Sequence, residues 1–149
     1  MILFLLFRLD LGQTTNKEIC HNSVLLKAQS KIGGTLDCRT NYVCISGEKD
    51  CEGFSSDYTI EISGNSEEEI RNATMKAIAD EMADCWWMFG EGKVDYVRKG
   101  VLNENYCSIC SVIHFDEKLK EKINDINYDE FYDYLSQTKK GSSEKIWYR

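Results

Sequence analysis

Seven cysteines in 149 residues, at Cys20, Cys38, Cys44, Cys51, Cys85, Cys107 and Cys110, constrain this chain more than any other feature. Thiols at that density are a liability in a reducing compartment unless they hold a metal or do chemistry. These are scattered over helix-like, strand-like and loop-like sequence with only one close pair, which favours disulfides over a single metal cluster. Connectivity stays open, because any of the seven can be the odd thiol while the other six pair in about 15 ways. The length fits one domain and makes two a tight fit. A net charge of −7, from 18 Lys and Arg against 25 Asp and Glu, argues against a nucleic-acid partner and against electrostatic docking on an anionic membrane.

The N-terminus, Met1-Ile-Leu-Phe-Leu-Leu-Phe7, is an apolar run that stops at Arg8-Leu-Asp10. Seven helical residues rise only about 10 Å against a hydrocarbon core of about 30 Å, and the flanks of a signal peptide are missing. The run reads as the remnant of a transmembrane or signal-anchor helix over residues 1–12, ahead of a single extracytoplasmic α+β domain over 13–149. A buried strand or helix end is the competing reading. Placement outside the cytoplasm would let disulfides persist.

Along the chain, Ile19, Val24, Leu25 and Ala28 predict a helix over Thr14–Ser30. Asn41–Ser46 and Thr59–Ser63 predict short strands, read as antiparallel neighbours around the Cys44 to Cys51 loop. Ser66-Glu-Glu-Glu69 is a capping box, so a helix opens there, and it is expected to run to Phe89 with Gly90 and Gly92 as its stop. Ile70, Thr74, Ile78, Met82, Cys85 and Phe89 predict its buried stripe. Ser111–Asp116 alternates as a strand with Ile113 and Phe115 on one face and His114 on the other. Asn127–Leu135 reads as an acidic amphipathic helix. With no proline in the chain, Gly, Asn, Asp and Ser must make the turns.

Cys107-x-x-Cys110, with His114 four residues on and Cys85 on the central helix, makes a possible Cys3His zinc site, since a CxxC turn supplies two thiolates at once. A disulfide from Cys85 to Cys107 or Cys110 explains the same residues more simply. Thiol exchange is a third reading, weakened because a strand follows the CxxC where a thioredoxin-like dithiol needs a helix N-terminus. Glu81 falls within the buried arc of the central helix and is a candidate general base near Cys85, against a carboxylate that is merely paired at the stripe's edge. Trp86 and Trp87 project about 100° apart, so one is expected to be exposed as an interface anchor. Asn72-Ala-Thr74 matches a glycosylation acceptor but falls inside the predicted helix, where chance accounts for it better. No catalytic residue is assigned and an enzyme is the less favoured reading.

Cys20 with Ser23-Val24, Leu36-Asp-Cys38, the Met82-Ala-Asp-Cys-Trp-Trp-Met-Phe-Gly-Glu-Gly92 run and Cys107-Ser-Ile-Cys-Ser-Val-Ile-His-Phe-Asp116 follow one another in this order. The order resembles a group of uncharacterised, single-pass, membrane-anchored, cysteine-rich proteins of small-celled archaea. The resemblance spans nearly the whole chain and implies an anchored, extracytoplasmic protein, but it brings no activity. The expected fold is α+β, a central amphipathic helix on a small, mostly antiparallel sheet, disulfide-stapled, with an N-terminal helix ending a membrane anchor. The expected function is a non-enzymatic cell-envelope protein whose ectodomain contacts an unknown protein partner, with no cofactor. The alternative is a zinc-binding or thiol-exchange protein using Cys85, Cys107, Cys110 and His114.

Overall fold

The structure, a computed structural model, describes residues 11–29, 35–96, 108–123 and 125–138, with side chains from residue 16 onward. Its main elements are α1 (Leu11–Gln29), β1 (Asn41–Ser46), β2 (Tyr58–Glu61), α2 (Glu67–Met88), β3 (Ser111–Phe115), α3 (Glu117–Lys122) and α4 (Tyr128–Gln137). They form two compact units, one from residues up to Asn41 together with Asp84–Cys110, the other from Tyr42–Ala83 together with the chain from Ser111 onward. Both β1 and α2 contribute residues to each unit.

In the second unit the strands run β2-β1-β3, and the sheet is parallel, which corrects the expected mostly antiparallel one. Val43 pairs with Tyr58 and Ser46 with Glu61, so partner numbers rise together along β1 and β2. The same holds toward β3: Asn41 donates its N–H to the Cys110 carbonyl at 2.7 Å, and Asp116 donates to the Ile45 carbonyl at 3.2 Å. The physical reason lies in the Gly47–Asp57 connection. A hairpin needs only two to five residues, whereas this longer segment carries the chain back along β1 before β2 begins.

Val43, Ile45, Tyr58, Ile62, Ala77 and Leu119 form the buried core of this unit. The returning loop packs on part of the opposite sheet face, where Phe54 stacks on His114 at a centroid distance of 4.8 Å. The loop is closed by the Cys44–Cys51 disulfide.

The capping box forms as expected at its Ser end, with Ser66 Oγ accepting the Glu69 N–H at 3.2 Å. Glu69 reaches one residue further back than expected, accepting from Asn65 N–H at 2.7 Å. The predicted stripe needs correcting at Met82, which is 38% exposed. Successive steps of four residues each drift about 40° around a helix of 3.6 residues per turn, so the buried face passes instead through Thr74, Ala77 and Glu81. Thr74 turns its hydroxyl to the Ile70 carbonyl at 2.8 Å, which leaves the Asn72-Ala-Thr74 match inside a formed helix.

One junction ties three segments of this unit together. Asp116 caps α3, accepting from Leu119 N–H at 2.8 Å, from Gly47 N–H at 3.1 Å and from the Ser46 hydroxyl at 3.0 Å. Burial would raise its carboxyl pKa, but these bonds and the Lys122 charge hold it below the usual carboxylate range.

Among the described residues the first unit shows a smaller buried cluster. Cys20, Val24 and Met88 are buried, with Leu36, Trp87, Phe89 and Val94 packed against them. Lys17 on α1 reaches Asp84 on α2 at 2.7 Å. After α2 the chain turns through Gly90, Glu91 and Gly92, all with positive φ (77°, 55° and 68°). Glycine enters that region without strain, which makes this pair the stop the sequence indicated.

Candidate functional site

The structure forms three disulfides, Cys20–Cys38, Cys44–Cys51 and Cys85–Cys110. The Cys85–Cys110 bond is one of the two pairings expected for Cys85, and Cys107 lies outside the described residues. In this state Cys85 and Cys110 are bonded to each other and offer no thiolates. His114 stacks on Phe54 on the back of the sheet. Among the described residues no group of three or more His, Cys, Asp or Glu side chains gathers as a metal site.

Glu81 is 5% exposed, as its place in the arc implied. Tyr58 on β2 donates its hydroxyl to Glu81 Oε1 at 2.7 Å, and Ser111 on β3 donates to Oε2 at 2.9 Å. The carboxylate thus ties the helix to both outer strands. With Cys85 bonded to Cys110, Cys85 offers no thiol to a general base, and the two hydroxyl bonds make Glu81 a cross-link between the helix and the sheet.

The tryptophan pair divides as 100° spacing demands. Trp87 packs in the first unit with its ring stacked on His21 at 4.0 Å, while His21 Nδ1 donates to its own partner's main-chain carbonyl at 2.7 Å. Trp86 is 59% exposed. Its ring lies over Gly92, where an added Cβ would come within 2.9 Å of it.

An apolar concavity lies in the second unit, a groove of about 640 Å³ open to solvent. Ile78 of α2, Phe115 of β3, Leu119 of α3, Ile123 just after α3, and Tyr128 and Phe131 of α4 supply apolar walls. Its size falls within the range of about 300–1,000 Å³ that binds ligands and anchor side chains. Tyr128 stands at the mouth, 80% exposed, and stacks with Tyr132 at 6.3 Å. Arg71 beside α4 is engaged by Glu67 at 2.7 Å and Glu130 at 3.5 Å. Lys120 is engaged by Glu117 at 2.7 Å.

Sequence reasoning missed this groove because it missed α3. The signal was present in Asp116 followed by Glu117-Lys-Leu-Lys120, a capping residue ahead of charged helix formers with one apolar residue to bury. Compared with known families, with curated proteins and with solved structures, the chain finds no match.

Proposed function

We propose that the protein is a non-enzymatic, membrane-anchored component of the cell envelope whose disulfide-stabilised extracytoplasmic domain binds another protein. The observation that carries the reading is the open apolar groove of the second unit, with Tyr128 exposed at its mouth. Exposed apolar surface of this kind is costly to leave in water unless something covers it. Glu81 and Asp116, the buried carboxylates of that unit, are held by hydrogen bonds that join structural elements. The disulfides support an oxidising compartment. No described helix is long and apolar enough to cross a membrane, so the anchor rests on the Met1–Phe7 run and on the resemblance to anchored archaeal proteins.

The test is thiol mapping on natively produced full-length protein, combined with zinc analysis and labelling of intact cells by an impermeant reagent. Cys20–Cys38, Cys44–Cys51 and Cys85–Cys110 are expected oxidised, with the domain labelled from outside. A soluble cytosolic product with reduced thiols would overturn the reading. Free Cys85 and Cys110 with one zinc bound would replace it by the metal-binding one.

A further inference from the structure

From the groove and its rim we infer the chemistry of the partner: a peptide segment of another protein carrying large apolar anchors flanked by lysine or arginine. The inference rests on the docking role just proposed and adds the charge sign that selects the partner. Three features of the second unit combine.

The floor of the groove is aliphatic and aromatic, contributed by Ile78 of α2, Phe115 of β3 and Ile123 just after α3. Such a surface gains free energy by taking up apolar side chains and offers little to a sugar or a nucleotide phosphate. It is also open along α4, where a peptide can lie.

The rim is acidic, and among the described residues only part of that charge is paired. Helix α4 contains Asp129, Glu130 and Asp133 and no basic residue. Glu130 is the one held by Arg71. Asp125, Asp129 and Asp133 are exposed and form no ion pair with a described residue. Among the described residues, Arg71 is committed to Glu67 and Glu130, and Lys120 to Glu117.

The third feature is the Tyr128 and Tyr132 pair between groove and rim, 80% and 53% exposed. Tyrosine faces attract guanidinium and ammonium groups, and tyrosine at a groove mouth is a common anchor in protein recognition. Apolar anchors in the groove would therefore bring flanking cations over the tyrosines and against Asp129 and Asp133. A second copy of this chain is a poor occupant of the same surface, because the net charge of −7 sets acidic rim against acidic rim.

The experiment is fluorescence polarisation of labelled peptides on the full chain. The probes are about 14 residues long, with leucine and tryptophan one helical turn apart between either two lysine pairs or two glutamate pairs. The lysine-flanked probe is expected to bind about tenfold tighter at about 50 mM salt, with the preference shrinking at about 500 mM as screening sets in. The double variant Asp129→Lys and Asp133→Lys, both on the exposed side of α4, is expected to reverse the preference, and Tyr128→Ser to weaken both probes.

Equal binding of the two probes overturns the charge assignment and leaves apolar docking standing. Binding of neither probe, or binding indifferent to Tyr128→Ser, overturns the groove as a docking site. The chain's own Lys139, Lys140, Ile146, Trp147, Tyr148 and Arg149 have matching chemistry. Tighter probe binding after removal of residues 139–149 would show that this segment, and not another protein, is the natural occupant.

Discussion

The two units solve the same problem with different materials. Among the described residues the first buries three in its core, Cys20, Val24 and Met88, and carries two disulfides, whose cysteines are 18 and 25 residues apart. The second buries six core residues and packs seven more against them, and it carries one disulfide over a separation of 7. Loop-closure entropy makes each of the longer cross-links worth about 3 kcal/mol and the short one about 2.5 kcal/mol. Among the described residues the first unit therefore leans on cross-links where the second leans on burial, which is the exchange expected of small cores.

Reduction is the strongest way to break that comparison. With all disulfides reduced, the first unit loses on the order of 6 kcal/mol of unfolded-state restraint, against a core with three buried residues among those described. Amide exchange over Asn16–Asn41 and Asp84–Tyr96 is expected to become rapid while Val43, Ile45 and Leu119 stay protected. Trp87 should report the same event optically, since its stacking on His21 belongs to the first unit. Uniform loss of protection across both units would show that the second also relies on its cross-link.

The second comparison-breaker acts on polar linkage. Tyr58→Phe removes one hydroxyl donor to the buried Glu81 carboxylate while keeping the ring in the core. A buried acceptor that loses a donor costs about 1–3 kcal/mol, and the loss is expected in the second unit alone. Thermal unfolding followed by exchange at Ile45 and Leu119 checks it; an unchanged midpoint would mean that the bond contributes nothing net.

Local structure was legible in this sequence wherever one short segment carries its own signal. Asn41–Ser46 is a strand with the bounds its composition indicates, Ser66 caps α2, and the Gly90 to Gly92 turn ends it. Asn127, at the edge of the expected acidic helix, is the N-cap of α4, accepting from Glu130 N–H at 2.9 Å. Strand direction was not legible, because alternation in Thr59-Ile-Glu-Ile62 specifies a face and says nothing about which neighbour it pairs with or in which sense. The groove was illegible for the same reason at larger scale: Ile78, Phe115 and Phe131 belong to three elements and Ile123 to the turn after a fourth, and no spacing within one of them announces that they meet. Glu81 stands between these cases. Helical periodicity placed it on the buried face, but its hydroxyl partners Tyr58 and Ser111 are 23 and 30 residues away and follow only from the sheet order.

The mildest expected effect separates the units by pH. Asp116 belongs to the second unit, and its carboxyl pKa is lowered in the folded state, where Gly47, Leu119, Ser46 and Lys122 outweigh its burial. A carboxyl whose folded pKa lies below its unfolded value contributes stability at pH above the unfolded value of about 4, and that contribution fades as pH falls through the folded one. Acidification below about pH 4 is therefore expected to loosen the Ser46, Gly47 and α3 junction. Asp116→Asn keeps a side-chain oxygen for the Leu119 N–H but removes the titrating group, so it should lower stability at neutral pH and flatten the acid limb of the stability curve. Exchange of the Leu119 and Lys120 amides as a function of pH reads this directly. If the wild-type and Asp116→Asn curves fall in parallel below about pH 4, the acid response belongs to other carboxylates and the junction is held by its neutral hydrogen bonds.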